Sequence, residues 1–281
     1  MRPARYLDMM IDPQYMTHLH KRQSECISSH SMTTDIHTHL GADRMSIQKV
    51  NEYDYARHTD TLLQRMDVFG IDRAVLTPVD PYTGTDLYLQ AAAINPDRLY
   101  AACEVMPRPI DTARRRLKKY TDEGCVALVL DDNMYYPSDP AVDALVQLAV
   151  DNELPVYFHT HELTGDTISF VDKVTTLWPD GKFIVLHMGG LFGFPNLLPL
   201  MGRRNLWLDI SITLVKLVES PLRVYLDALL QDAGVRHLVY GSEHHTEYPD
   251  LMDSLNMIDL NVETSRVVMK ENAWLILGMP F

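Results

Sequence analysis

From Thr33 onward, short apolar runs alternate with longer amphipathic stretches. The runs centre near Thr34, Val75, Ala101, Ala127, Tyr157, Ile184, Trp207 and Leu238. They form eight candidate strands, most spaced by about 30 residues, the length of one strand-plus-helix unit. The first interval is longer and leaves room for a loop from about Gly41 to Tyr53. The stretches between the runs repeat at a helical period. Asp54 to Phe69 ends at Gly70, a residue suited to a left-handed helix stop. Val142, Leu145, Val146, Leu148 and Ala149 mark one apolar face between Pro140 and Asn152. Pro140 sits at the helix start, where its missing N–H costs nothing. Leu222 to Leu230 runs to Gly234 in the same way. Strands alternating with helices predict a parallel sheet, and eight such units predict an α/β fold of the (β/α)8 barrel type. A doubly wound open sheet is the alternative, but its Gly-rich first turn is missing, because strand one ends His-Thr-His-Leu-Gly. No low-complexity tract divides residues 32–281, which read as one domain. Residues 1–31 carry Pro3, Pro13 and no sustained period. They read as an N-terminal extension, either packed on the barrel or an over-long start.

Charge and composition narrow the function classes. The chain has 281 residues and a net charge of −13. That balance argues against nucleic-acid or anionic-membrane partners, whose phosphates call for clustered Lys and Arg. One basic run, Arg114, Arg115, Arg116, Lys118 and Lys119, reads as a solvated helix face. The longest unbroken apolar run is Cys125 to Leu130, far short of the ~20 residues a spanning helix needs. No charged segment followed by an apolar one opens the chain, so no secretory signal is expected. Cys26, Cys103 and Cys125 are too scattered for a disulfide framework, and a cytoplasmic location is expected. Histidine is the informative residue. There are 12, and they cluster as His18 with His20, His37 with His39, His159 with His161, and His244 with His245.

In a (β/α)8 barrel the chemistry gathers at the C-terminal ends of the strands. Strand one ends Asp35-Ile36-His37-Thr38-His39, and residues i and i+2 share a face. His37 and His39 are therefore half of a metal site or a pair of ordinary turn histidines. Strand five ends in His159 and strand six in His187, and strand eight is followed by Ser242 and Glu243. Three strands ending in His, with a carboxylate after a fourth, make a three-His, one-acid set.

These segments resemble the amidohydrolase superfamily, in particular the amidohydrolase-related branch that includes aminocarboxymuconate-semialdehyde decarboxylase. The resemblance rests on Asp-Ile-His-Thr-His (35–39), Leu-Pro-Val-Tyr-Phe-His (154–159), Ile-Val-Leu-His-Met-Gly-Gly (184–190), Tyr-Gly-Ser-Glu (240–243) and a closing Glu-Asn-Ala-Trp-Leu-Ile-Leu-Gly (271–278). It implies a distorted barrel with one divalent metal ion, zinc by default, with manganese, iron or cobalt also suited. By position His37, His39 and His159 become imidazole ligands. His187 becomes a nearby acid or electrophile, and Asp35 orients the first pair from behind. The branch usually has Asp where this chain has Glu243. The extra methylene moves the carboxylate by ~1.5 Å, large against ligand tolerances of ~0.2 Å. Glu243 then binds the metal, acts as a general base, or weakens the metal site; branch hydratases carry Glu at this position. His244 and His245 are neighbours that share the role or remain loop residues. Binuclear relatives carry a carboxylated Lys at the end of strand four. Here that strand ends in Asp131 and Asp132, so one metal is expected.

Candidate substrate contacts are Arg108 after strand three, Tyr82 after strand two, and Tyr135 and Tyr136 after strand four, with Arg44 weaker. The expected function is hydrolysis of a small-molecule ester, lactone or amide bond by a metal-activated water. The alternatives are a lyase, either a nonoxidative decarboxylase or a hydratase, and a binding protein that has lost its metal. The expected partner is a small-molecule substrate, and a homo-oligomer fits equally well.

Overall fold

The structure is a computed structural model that describes residues 32–79, 83–160 and 163–278. The expected extension 1–31 and the residues Tyr82 and His161 lie outside the described residues.

The strands are β1 (Thr33–His39), β2 (Ile71–Leu76), β3 (Leu99–Ala101), β4 (Cys103–Glu104), β5 (Leu128–Asp131), β6 (Val156–His159), β7 (Phe183–Val185), β8 (Leu206–Asp209), β9 (Leu238–Val239) and β10 (Glu243–His244). They form two all-parallel arcs, β10-β1-β2-β3 and β4-β5-β6-β7-β8-β9. Two seams join the arcs into a ring. At Ala102 the chain passes from one arc to the other: Ala102 N donates to Leu76 O at 2.9 Å and Cys103 N donates to Ala127 O at 2.8 Å. At the second seam Ile36 N donates to Tyr240 O at 3.0 Å and Ser242 N to His37 O at 2.9 Å. The third and eighth strands of the ring are thus each in two pieces, giving the eight-stranded α/β barrel that the alternation predicts. Seven of the eight expected strand centres lie within strands. The other, Ala127, precedes β5 by one residue, with its carbonyl already bonded across the seam.

Helices follow the strands and bury one face each. Tyr55–Phe69 buries Leu62 and Met66 and stops at Gly70, whose φ of 67° is left-handed. Pro140–Asp151 buries Val142, Leu145, Val146 and Ala149, and each of the Val and Leu side chains contributes about 1.5–3 kcal/mol. Its first turn is capped by Asp139, whose carboxylate accepts from Ala141 N at 2.8 Å. The basic helix Ile110–Asp122 buries Ala113, Leu117 and Tyr120. On its exposed side Lys118 pairs with Asp122, and Lys119 with Asp86. No helix among the described residues is long and apolar enough to cross a membrane.

The barrel interior positions the site. Ile36, Val75, Val129, Tyr157, Ile184, Trp207 and Val239 form an inner cluster apart from the larger core under the helices. Successive strand residues alternate sides. So Asp131, His159 and Asp209, each two residues beyond Val129, Tyr157 and Trp207, face the same interior at its C-terminal end. Strand β1 needs an extra device. Asp35 pairs with Ala74 and Thr38 with Leu76, so Ile36 and His37 together oppose Val75. This bulge lets Ile36 fill the inner core while His37 and His39 turn into the site. At the opposite end, the helix Asn272–Leu277 places Ala273 and Ile276 in the inner cluster.

Candidate metal centre

Four imidazoles surround the Glu243 carboxylate. Its Oε2 lies 3.3 Å from His39 Nε2, 3.5 Å from His37 Nε2 and 3.6 Å from His187 Nε2. His159 joins them, with its ring centroid 6.0 Å from those of His37 and His39 and 5.3 Å from that of His187. One ligand atom from each of His37, His39, His159 and Glu243 falls within 4.8 Å of the others. His37, His39, His187 and Glu243 are all buried.

Each imidazole is held from behind through Nδ1. His37 Nδ1 donates to Asp209 Oδ2 at 2.9 Å, His39 Nδ1 to the Thr77 carbonyl at 2.7 Å, and His159 Nδ1 to Asp131 Oδ2 at 2.7 Å. Acceptors at Nδ1 fix the proton there and leave a lone pair on Nε2. Two such lone pairs, on His37 and His39, meet at 3.1 Å. Glu243 Oε2 and His187 Nε2 are buried without a hydrogen-bond partner. Inward lone pairs and an orphaned carboxylate oxygen, crowded in a buried space, are a donor set that a divalent cation satisfies.

The electrostatics follow the packing. Burial alone raises the Glu243 carboxyl, but His39 and His187 beside it hold it well below the usual range. Burial likewise opposes ionisation of Asp209 and Asp131, yet hydrogen bonds from His37 and His159 keep both carboxyls low. His159 is raised in return: burial lowers it, and the Asp131 bond outweighs that. Burial lowers His39, and it lowers His187 to about 3. Two site residues sit in the left-handed region that disfavours side chains, His187 at φ 54° and Glu243 at φ 71°. Each costs about 1–3 kcal/mol, a cost that surrounding contacts sustain at functional sites.

Several residues stand differently from the sequence expectation. Asp35 does not touch the imidazoles. It accepts from His37 N, Ser242 N, Ser242 Oγ and Tyr248 OH, so it pins the second seam, and burial pushes its carboxyl up to about 7. The residue behind the His37 ring is Asp209, which the sequence reading passed over. Its signal was the inward parity Trp207-x-Asp209. Asp131, which the sequence places only at the end of strand four, holds His159, its register partner across β5 and β6. His187 lies beyond the end of β7, in a turn whose left-handed residues run from His187 through Gly190. Gly241 is required by contact: a Cβ there would lie 2.8 Å from Asp209 Cγ and 3.2 Å from His37 Cβ. His244 and His245 are buried behind Glu243, with ring centroids 4.1 Å apart, and His244 Nε2 donates to Gly41 O at 3.3 Å. Arg108 forms a two-pronged pair with Asp139, and Arg44 lies 3.8 Å from Glu247. Tyr135 is buried against Phe170, and Tyr136 is exposed.

The Amidohydrolase family model matches residues 34–273. The chain belongs to the amidohydrolase family. This amidohydrolase-family chain shares its fold with several solved structures. An amidohydrolase from Burkholderia multivorans with bound zinc is 14% identical, with a TM-score of 0.68, covering 89% of this chain and 100% of that one. A 5-carboxyvanillate decarboxylase from Novosphingobium aromaticivorans, complexed with manganese and 4-hydroxy-3-methoxy-5-nitrobenzoic acid, is 13% identical at a TM-score of 0.67, covering 90% and 97%. A probable 2-pyrone-4,6-dicarboxylic acid hydrolase from Acinetobacter baumannii with citric acid bound is 16% identical at 0.65, covering 88% and 99%. No curated protein matches the chain.

Proposed function

We propose that this amidohydrolase-family protein is a metal-dependent hydrolase of a small-molecule ester, lactone or amide. The observation that carries the reading is the cluster of Nδ1-anchored imidazoles gathered around the buried Glu243 carboxylate. His37, His39, His159 and Glu243 would hold one divalent ion. Zinc and manganese are the metals named for two structures of the same fold. When bound, such an ion polarises a carbonyl and lowers the pKa of water towards ~7.

The chain's own residues do the rest. Asp209 and Asp131 keep the imidazoles oriented and their Nε2 atoms basic. Glu243, held ionised by its histidine neighbours, brings one negative charge to the three neutral imidazoles. His187 lies outside that ligand set, beside Glu243, and carries protons between water and the leaving group. Burial excludes bulk water and strengthens each of these interactions.

A nonoxidative decarboxylase is the second reading, favoured by the decarboxylase of the same fold. A carboxylated substrate calls for a cation free to meet it. The two arginines expected at the mouth, Arg108 and Arg44, both face acids of this chain, which favours an uncharged bond as substrate.

Elemental analysis of untagged protein tests the metal. About one ion per chain is expected, lost in His37→Ala and His159→Ala and reduced in Glu243→Gln. Metal content unchanged in both histidine variants overturns the site. A screen of lactones, esters, amides and aromatic acids then separates the activities. Cleavage without carbon dioxide supports the hydrolase, and carbon dioxide release supports the decarboxylase.

A further inference from the structure

His187 is the one site imidazole whose Nδ1 partner is a hydroxyl, and a hydroxyl can either donate or accept. Its Nδ1 lies 2.8 Å from Ser211 Oγ, and that Oγ lies 2.5 Å from Asp209 Oδ2. Ser211 has a single proton to give. At 2.5 Å a proton must lie between the hydroxyl oxygen and the carboxylate, and the serine supplies it. The Ser211 oxygen is then left to accept, so the proton shared with His187 belongs to Nδ1.

Asp209 is well placed to enforce this order. Its Oδ2 also accepts from His37 Nδ1 at 2.9 Å and from His187 N at 3.3 Å, while Oδ1 accepts from Ser211 N at 2.9 Å. One buried carboxylate therefore orients two imidazoles, His37 directly and His187 through Ser211. Its four donors leave it no spare role. His187 Nε2, on the other side of the ring, has no partner and points towards Glu243 Oε2, 3.6 Å away.

We propose that Ser211, backed by Asp209, is a positioning residue that fixes His187 in the Nδ1–H tautomer, so that His187 enters the reaction as a proton acceptor at Nε2. This differs from the role implied by the family resemblance, in which His187 is an acid or electrophile. The reaction assigned to it rests on the hydrolase reading; the tautomer does not. In hydrolysis, Nε2 takes one proton from the attacking water as the water oxygen bonds the carbonyl carbon. The imidazolium that results is flanked by Ser211, with the Asp209 charge behind it. The same proton then passes from Nε2 to the leaving oxygen or nitrogen as its bond to the carbonyl carbon breaks. Water is thereby divided between the two products and His187 returns to its starting form.

The test is long-range proton–nitrogen NMR on the metal-free protein labelled with nitrogen-15 histidine, the His187 signals being assigned by their loss in His187→Gln. In the wild type, Nδ1 should carry the proton and Nε2 the unprotonated shift. Ser211→Ala should move His187 to the Nε2–H form or a mixture, and Ser211→Thr, which keeps the hydroxyl, should restore Nδ1–H. With metal supplied, Ser211→Ala should lower kcat by about 10²-fold with KM little changed, and Ser211→Thr should recover most of it. An Nε2–H wild type overturns the proposal, and so does a tautomer indifferent to Ser211→Ala. If Ser211→Ala fails to fold, the wild-type and Ser211→Thr spectra still decide the tautomer. A tautomer that behaves as stated, in a protein that hydrolyses nothing, upholds the positioning role and removes the hydrolase reading.

Discussion

Gly241→Ala should weaken metal binding without adding or removing a single polar group. The new methyl carbon would lie 2.8 Å from Asp209 Cγ and 3.2 Å from His37 Cβ, nearer still to Asp209 Oδ1. Ordinary contact begins at 3.4 Å, so the carboxylate must retreat by roughly 1 Å in a close-packed interior. Gly241 needs no left-handed backbone, so the clash is the whole cost. Such overpacking costs about 1–3 kcal/mol of stability. The metal should suffer more visibly. Asp209 orients the His37 ring through a 2.9 Å bond, and ligand positions tolerate only ~0.2 Å. Disturbing a partner of this kind weakens metal affinity by about 10–100-fold. Competition against a chelator of known affinity measures that loss, and thermal melts of the metal-free protein measure the stability separately. Wild-type metal affinity in a folded Gly241→Ala protein would refute the chain of contacts from Gly241 through Asp209 to His37.

Two further outcomes follow from the same geometry. Asp131→Asn keeps the shape at His159 but removes the charge that holds its Nδ1 proton, and it should lower metal affinity by about 10-fold or more, read by the same competition; an unchanged affinity would detach Asp131 from the site. Acid should also destabilise the metal-free protein. His187 is held down to about 3 and His244 to about 4, both by burial, whereas unfolded histidine titrates near ~6.5. The unfolded chain therefore binds more protons below pH ~6.5, and each residue withdraws about 2 kcal/mol between there and pH 5. Asp35, raised to about 7 by burial, has the opposite sign and returns about 2 kcal/mol over that window. His39, His237 and His245 are lowered by burial as well, against the raised His159, so urea melts should show stability falling between pH ~6.5 and pH 5, and stability that rises on acidification would contradict the assignment of these groups.

Much of the barrel is legible in the sequence because its determinants are local. Each strand is a short apolar run bounded by turn residues, and the helices announce themselves through Pro140, Gly70 and their apolar faces. The site histidines are legible for a related reason: a polar residue closing an apolar strand of a parallel barrel has few places to point except the mouth. What escapes is set by distance across the ring. Asp209 is 172 residues from His37, and nothing in Leu-Asp-Ile-Ser marks it as the partner of an imidazole. Asp35, two residues from His37, is the more obvious partner on paper. The bulge at Ile36 and His37 turns the ring away from it, and Asp35 holds the backbone instead. Arg108 looks like a free mouth cation until the fold brings Asp139 beneath it. Tyr135 looks like a substrate platform until Phe170 covers it.

The two seams of the ring give the metal a mechanical meaning. His37, His39 and Glu243 belong to the four-stranded arc, and His159 to the six-stranded arc. Between Val239 and Glu243 the arcs meet through a few backbone bonds and the Asp35 cluster rather than through a continuous ladder. A cation held by the proposed ligands would be gripped from both sides, a clasp as well as a reagent, and would tie the arcs together where the hydrogen-bonded wall is thinnest.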